Sequence, residues 1–491
     1  MDFKTNNKNY VKEKMKKYNK YNIFNMMYIL SIFQTEFLYN FRNIEYLTNH
    51  PYTYPWVHED IAMYKLLNTS EGYVNLTSLE EITKFSRLVW NEDSGSAIFD
   101  SVKKYASNSL NRLLPSLVEK QMGYRFYFEH FLVKSFYMLN NNELIIDEFK
   151  KVFNTDYYSF FKVVVQYYYS LIKLHIDFEG KESQQRISVS EFFKRFKEIN
   201  DDLMKNLPFL DKLTFDIEDY RDKQFKLLEK TNWDYYNCFN YLRCKPIIKI
   251  DEFIVCPLPL TLVKAFVFYI YNEFTFGSDE RRTLLGDEYE KYIYTIMKNT
   301  LNEGIVYSEI PYLGKKSSDV ILVSNDQILF IECKFKSIPF DYRDIENFTK
   351  KEKLIVQYAD ALNQIIMNFR DTLFNRIPKL PMNASPSNMY GIILIQEMAI
   401  IPKVEIVQYC IEKNKITNFE KEFIMKHVHF VDDEFFEEYV LNENIDFFKI
   451  LYSYTQNENP NDVLKLSAPH KNGITWSDME ADKIFKKMFS E

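Results

Sequence analysis

The chain is poor in glycine, with only 10 glycines among its 491 residues, whereas glycine makes up roughly 7% of an average protein. Neither the G-x-G-x-x-G pattern of dinucleotide-binding folds nor the G-x-x-x-x-G-K-[ST] pattern of phosphate-binding loops occurs. No stretch reaches the roughly 18 uncharged apolar residues that a membrane span needs. The sequence therefore argues against the common nucleotide-binding loops and predicts no contact with a membrane.

Cysteine is also scarce. The five cysteines are odd in number and include no C-x-x-C pair. This usage argues against a disulfide framework or a cysteine zinc site and is typical of a reducing compartment. The basic N-terminus is followed by an apolar run that contains Asn22 and Asn25 and lacks a small-residue cleavage site, so we expect no signal peptide. The sequence predicts a cytoplasmic protein.

The formal net charge is −7, which argues against a protein that coats nucleic acid through charge alone. The acidic excess lies mainly in residues 401–491, which contain 17 Asp and Glu but only 11 Lys. With 46% hydrophobic residues, the chain is too apolar to be disordered. We therefore expect a folded protein that could still bind nucleic acid locally.

Residues 1–245 have the pattern of a helical domain. Ser78 and Glu81, for example, have the spacing of a capping box at the start of an apolar stripe. No motif in this region carries recognisable chemistry. We expect the domain to contact a protein partner or nucleic acid.

Residues 246–283 look like a connector, with a short hairpin over 246–255 and a helix over 260–274. The polar stretch 277–282 is the expected boundary. Residues 284–491 form the third expected region, an α/β domain with an acidic C-terminal extension.

The hydrophobic pattern after residue 284 predicts a helix, three strands, a helix and a strand. These elements are expected over 284–301, 305–312, 319–323, 328–336, 345–370 and 390–395. Asn325 and Asp326 are typical of a tight connection between the second and third strands. The predicted fold class is α+β.

Charged residues interrupt the third of these strands. Because alternate side chains share a face, Glu332 and Lys334 should project together, and Cys333 should project to the other face. If the second and third strands pair as a hairpin, Asp319 lies near Glu332. Two carboxylates can hold a divalent cation, and a lysine can orient a water or stabilise negative charge on a phosphate. The alternative is a solvent-facing edge strand with a plain Glu332–Lys334 ion pair.

The preceding helix supplies a further acid. Glu290 and Gly286 lie one turn apart on one helix face, and a glycine there leaves room for a close approach. Glu288 competes with Glu290 for this role. The alternative for both is a solvated helix face.

These residues, in this order of elements, resemble the PD-(D/E)XK nuclease superfamily over residues 284–397. The resemblance implies a restriction-endonuclease-like αβββαβ domain with a central mixed sheet. It implies that Asp319 and Glu332 bind Mg²⁺ or Mn²⁺, and that Glu290 and the Cys333 backbone carbonyl complete the metal site.

The resemblance also implies that Lys334 helps to activate the attacking water. Many members carry a glutamine on the following helix. Gln357 or Gln364 could take that part, and Gln357 is preferred because it is closer to the helix start. Ser318 stands where the motif has proline.

The expected function is metal-dependent hydrolysis of phosphodiester bonds, with DNA preferred to RNA. The resemblance points to an endonuclease of bacterial anti-phage defence or restriction, with a protein partner bound through the helical region. The alternatives are a catalytically inactive scaffold or nucleic-acid-binding subunit, and an RNA-directed nuclease.

A weaker candidate site lies further along the chain. His427 and His429 would share one face of a strand over 427–431. The acids that follow, Asp432 to Glu434, are more typical of a helix start, where the helix dipole favours carboxylates. We therefore expect a plain strand there and no metal site.

Overall fold

The protein is described by a computed structural model. The described residues are 5–19, 22–40, 49–50, 53–68, 78–93, 128–179, 194–195, 198, 213–230, 240–243, 245–251, 253–301, 304–335, 348–395, 403–441, 446–455 and 476–489. The chain divides into two compact units. The first comprises residues 1–125 and 150–273, and the second comprises residues 126–149 and 274–491.

The described residues before position 246 are mainly helical, as predicted. Its described helices are α1 (Thr5–Met15), α2 (Asn22–Asn40), α3 (Pro55–Leu67), α4 (Leu79–Asp93), α5 (Phe128–Leu139), α6 (Glu143–Phe153), α7 (Tyr157–Glu179) and α8 (Ile217–Lys230). The Ser78 hydroxyl accepts a hydrogen bond from the Glu81 N–H at 3.1 Å, which caps α4. None of the helices within the described ranges is long and apolar enough to cross a membrane.

A small sheet follows the helices. The hairpin predicted over 246–255 is present as antiparallel β2 (Ile247–Ile250) and β3 (Phe253–Val255). β1 (Thr214–Asp216) pairs parallel to β2, and the sequence did not predict this strand. The helix expected next is α9 (Pro259–Thr275).

The helix expected over 284–301 begins earlier than predicted. α10 spans Asp279–Thr300, because the Ser278 hydroxyl caps it by accepting from the Arg281 N–H. Asp279 and Glu280 in its first turn interact favourably with the helix dipole. The polar stretch that suggested a boundary is therefore a helix start, and residue 284 lies inside α10.

The second unit is built on a mixed five-stranded sheet, whose strand order is β10-β9-β8-β7-β4. Its strands are β4 (Ile305–Ser308), β7 (Val320–Ser324), β8 (Gln327–Lys334), β9 (Met389–Ile395) and β10 (Val428–Asp432), with a separate hairpin of β5 (Pro311–Tyr312) and β6 (Lys315–Lys316). β7 pairs antiparallel with β4 on one side and with β8 on the other, whereas β8, β9 and β10 run parallel to one another.

The order helix, strands, helix, strand is confirmed, but its details differ from the prediction. The strand expected over 305–312 is broken into β4 and β5, and Lys315 and Lys316 lie in a strand after a turn at Leu313 and Gly314. α11 (Phe348–Leu373) follows β8 and packs on the sheet. Its contact with β9 is close, because a Cβ on Gly391 would lie 2.7 Å from Ile365 Cγ2.

The C-terminal extension adds one strand, β10, to the same sheet. It contributes α12 (Lys403–Glu412), α13 (Asn418–His427), β10, α14 (Asp433–Val440), α15 (Phe447–Thr455) and α16 (Trp476–Phe489). His427 ends α13, so the pairing of His427 and His429 on one strand face was wrong. The prediction that the acids start the next helix is confirmed, since α14 begins at Asp433.

α5 belongs to the second unit through a buried charge cluster. Lys134 on α5 pairs with Asp433 and with Glu437 on α14, the latter at 3.2 Å. The Tyr289 hydroxyl of α10 donates to Asp433 at 3.3 Å. All three charged side chains are buried, so each needs its opposite charge to remain ionised there.

Candidate active site at the end of the central sheet

The β7–β8 hairpin brings Asp319 and Glu332 together. In its register Val320 lies opposite Ile331, and the same register continued by one residue places Asp319 beside Glu332. The turn at Asn325, whose φ is 53°, fixes this register. The Cys333 N–H donates to Asp319 Oδ2 at 2.7 Å, which holds the carboxylate against β8.

Lys334 completes this group. Its Nζ donates to Glu332 Oε2 at 3.1 Å, as expected for two side chains on one strand face. Burial by itself lowers the pKa of Lys334, but the negative charges of Glu332 and Asp319 outweigh that effect and raise it. The lysine is therefore held in its charged form.

Glu332 is the most confined of these groups, with only 3% of the residue exposed. Burial, followed by the charge of Asp319, raises the pKa of Glu332 to about 8, against the opposite effects of Lys334 and the Ser318 hydroxyl. Oε1 of Glu332 is buried and has no hydrogen-bond partner among the described residues. An unpaired buried carboxylate oxygen is costly and indicates a missing partner.

Asp319 responds to the same environment. Burial raises its pKa, although Lys334 and the Cys333 N–H act in the opposite direction. The pKa is raised for both of these neighbouring acids, so the positive charge nearby does not fully compensate their negative charges. A plain solvated ion pair does not produce this pattern.

Glu290 on α10 lies within electrostatic reach of the hairpin. Its pKa is raised to about 7 by burial, then by Asp319 and Asp287, while Lys334 lowers it. Glu288 is buried and hydrogen bonded to Asn142 at 3.0 Å and to Lys291 at 2.6 Å. Among the described residues nothing lies within 4 Å of where a Cβ on Gly286 would be, so the room expected beside this glycine stays a prediction.

The sequence did not mark Glu309 as a residue near the site. Glu309, just after β4, pairs with Lys316 of β6 at 3.0 Å. Glu309 contributes to the raised pKa of Glu290 and of Asp319. No motif marked it, since it becomes a neighbour of Asp319 only through the pairing of β4 with β7.

A buried hydrogen-bond network supports the site from α11. The Asn368 amide donates to Ser318 Oγ at 2.6 Å. The Tyr312 hydroxyl lies 3.4 Å from Asn368 Oδ1 and donates to Asp371 at 2.9 Å. Because the Ser318 hydroxyl stabilises the ionised form of Glu332, the network runs from α11 to that glutamate. The signal for it was the pair Asn368 and Asp371, one turn apart in the apolar stripe of α11.

The two glutamine candidates both lie on α11. The Gln364 side chain donates to the backbone carbonyl of Lys316 at 3.0 Å. Lys316 lies three residues before Asp319 in the chain. Gln357 is half-buried two turns earlier. The preference for Gln357 stays a prediction.

The residues present suit a divalent cation in part. The orphaned Glu332 Oε1 and the facing Asp319 carboxylate are hard oxygen ligands, and a cation would compensate their mutual repulsion. Within the described residues, however, no group of three or more His, Cys, Asp or Glu side chains is gathered closely enough to hold a metal. Two carboxylates thus offer ligands, and Glu290 lies further off.

Comparisons of the chain with family models, with curated proteins and with solved structures find no match.

Proposed function

We propose that this protein is a metal-dependent nuclease that hydrolyses phosphodiester bonds and that DNA is its substrate. One observation carries the proposal: a buried Glu332 with an unpaired oxygen lies opposite Asp319 and is bonded to Lys334. Such a set is expensive to bury, and stability alone does not require it. Perturbed acids clustered beside a lysine are typical of functional sites.

Asp319 and Glu332 would hold Mg²⁺ or Mn²⁺, with Glu290 and the Cys333 backbone carbonyl as further ligands. Such an ion, when bound, supplies Lewis acidity toward a phosphate oxygen and makes a bound water more acidic.

The charge of Lys334 is the chain's own contribution to the chemistry. Its ammonium is held by Glu332 Oε2, which fixes it on the same strand face as the two acids. From there Nζ can orient a water for in-line attack or stabilise the negative charge that develops on the phosphate. Asn368 would keep the Ser318 hydroxyl aimed at the carboxylate that holds this lysine.

The setting we propose is bacterial anti-phage defence or restriction in the cytoplasm. The support is the resemblance to PD-(D/E)XK nucleases in Glu290, Asp319, Glu332 and Lys334. The helical region would contact a protein partner.

A second candidate is a non-catalytic subunit that binds nucleic acid. The observation that favours it is that no preassembled group of three metal-binding side chains occurs in the described part of the chain. The two candidates differ in a single outcome, which is phosphodiester cleavage.

Incubation of the purified protein with plasmid, single-stranded DNA and RNA tests the proposal, with Mg²⁺, with Mn²⁺ and with EDTA. We expect cleavage of DNA that needs the metal and falls by about 10²-fold or more in Asp319→Ala and Lys334→Ala, a size typical of lost transition-state electrostatics. Lys298→Ala, an exposed lysine on α10, is the matched control and should cleave normally. Cleavage that survives both site substitutions would contradict the site, and binding without cleavage would favour the second candidate.

A further inference from the structure

Three exposed cations and two aromatic rings, one exposed and one partly buried, contact one another around the β5–β6 hairpin. They are Tyr307 on β4, Lys315 on β6, and Phe374, Arg376 and Lys379 in the segment after α11. We call these five residues the basic–aromatic patch. Three different parts of the chain contribute to it.

The buried carboxylate of Asp371 joins two of these parts, β6 and the segment after α11. Lys315 Nζ lies 3.1 Å from Asp371 Oδ2, and Arg376 Nη1 lies 2.9 Å from Asp371 Oδ1. Two cations share one carboxylate, so the group keeps a net positive charge. Both cationic side chains are about half exposed, so their remaining N–H donors face solvent.

Each aromatic ring of the patch carries a cation. The Arg376 guanidinium lies 4.9 Å from the centroid of Phe374, and Lys379 Nζ lies 5.9 Å from that of Tyr307. Phe374 nevertheless remains 68% exposed. The exposed ring, with an arginine and a lysine nearby, offers a surface on which an unpaired base could stack.

The β5–β6 hairpin carries one cation of the patch and one cation near the site. Lys316, next to Lys315, is paired with Glu309 and lies within electrostatic reach of Glu290 and Asp287. On the interior side, Asp371 belongs to the hydrogen-bond network that reaches Ser318. The patch and the site are thus linked through one hairpin and one buried hydrogen-bond network.

We propose that the basic–aromatic patch binds single-stranded nucleic acid and guides it to the candidate active site. This inference rests on the proposed nuclease function and names the form of its substrate. Positive side chains contact successive phosphates, while an exposed ring stacks on an unpaired base. The alternation of cation and ring in the patch fits that chemistry.

Duplex DNA fits less well, because its bases are already stacked on one another and leave Phe374 nothing to stack on. An acidic protein segment would use the cations but not the ring. Single-stranded nucleic acid is the ligand that uses both, so Phe374 is the residue that separates these alternatives.

The test measures binding in EDTA, where metal-dependent cleavage is absent. The probes are fluorescent oligonucleotides of about 20 nucleotides, as single-stranded DNA, single-stranded RNA and duplex DNA, read by fluorescence anisotropy over a range of salt. The variants of the full-length chain are Phe374→Ala, Phe374→Trp and Lys379→Ala. Lys413→Ala is the matched control, because Lys413 is an exposed lysine that lies 5.6 Å from the Tyr409 ring on α12.

We expect Phe374→Ala to weaken binding of single strands about fivefold or more and Phe374→Trp to keep it, as expected for lost and retained base stacking. Lys379→Ala should reduce the salt dependence by about 0.7 in the log–log slope, the value of one phosphate contact on a single strand. Lys413→Ala should change neither.

Equal binding by the wild type and Phe374→Ala would overturn the proposal, as would a wild type that binds duplex but no single strand. A wild type that binds neither but associates with an acidic peptide through Lys379 would also overturn it, in favour of a protein-binding surface. Failure of the nuclease function itself is distinguishable, because it appears as absent cleavage with Mg²⁺ while the oligonucleotide binding in EDTA persists.

Discussion

At the residue scale, Glu332 has the most informative environment. Its carboxyl has a pKa of about 8 because it is buried and faces Asp319, whereas a glutamate in an unfolded chain has a pKa of about 4.3. At a pH between these two pKa values, Glu332 therefore carries a proton in the folded protein and has lost it in the unfolded chain. The stability contributed by protonated Glu332 is fully present below the unfolded pKa and is lost as the pH rises through the folded pKa.

Glu332→Gln should remove this pH dependence in metal-free protein. Relative to the wild type, the free energy of unfolding of the variant should rise between pH 5 and pH 9 by at least about 1 kcal/mol, close to the value of one pKa unit. Urea unfolding in EDTA at several pH values measures it. Glu422→Gln, an exposed acid on α13, is the control and should run parallel to the wild type. Parallel curves for Glu332→Gln would contradict the buried, proton-binding state.

Asn368 is the residue that links α11 to the site. Asn368→Ala should lower the free energy of unfolding by about 1–3 kcal/mol, because it removes the amide that donates to the buried Ser318 hydroxyl. Asn363→Ala, on the same helix and only partly buried, should cost less than about 0.5 kcal/mol. Chemical denaturation of both variants measures these changes in the free energy of unfolding. Equal effects would mean that the buried network does not hold α11 in place.

At the element scale, the packing of α11 on the sheet depends on one glycine. Gly391→Ala places a methyl group against Ile365 and Val428 and should cost about 1–3 kcal/mol of stability. Gly286→Ala, in the middle of α10 with open space around it, should stabilise the protein by about 0.5–1 kcal/mol. Thermal unfolding of the two variants should therefore shift in opposite directions. A destabilised Gly286→Ala would reveal a neighbour of α10 that is absent from the described residues.

Elements with local signals could be predicted from the sequence. Asn325 and Asp326 marked the turn, the turn fixed the register, and the register placed Asp319 opposite Glu332. The start of α10 was misplaced because the polar residues of a capped first turn look like a linker. β1 was missed because three residues carry too little pattern.

The hydrogen-bond network of the site could not be predicted in the same way. Asn368 and Asp371 are polar residues in an apolar helix stripe, and only their tertiary partners give them a role. Tyr312 and Ser318 reach them from loops and short strands more than 45 residues earlier in the chain, as the 50-residue separation of Asn368 and Ser318 illustrates. Periodicity reports which face is buried, not which polar groups meet there.

At the scale of the whole molecule, the cluster of Lys134, Asp433 and Glu437 joins α5 to the second unit. Lys134→Ala leaves two buried carboxylates without their cation and should cost about 3–5 kcal/mol. Lys426→Ala, which removes an exposed pair with Glu422 on α13, should cost less than about 0.5 kcal/mol. Denaturant unfolding compares them. Similar losses would show that α5 docks through its apolar contacts alone.

The cluster also sets an order of events during synthesis. Lys134 and Asp433 are 299 residues apart, and residues 150–273 of the first unit are made between them. At a ribosomal rate of about 5–20 residues per second, α5 exists for roughly 15–60 s before its counter-charges are translated. Residues 150–273 of the first unit are thus synthesised before Lys134 meets its counter-charges, and the buried cluster forms only after Asp433 and Glu437 have left the ribosome.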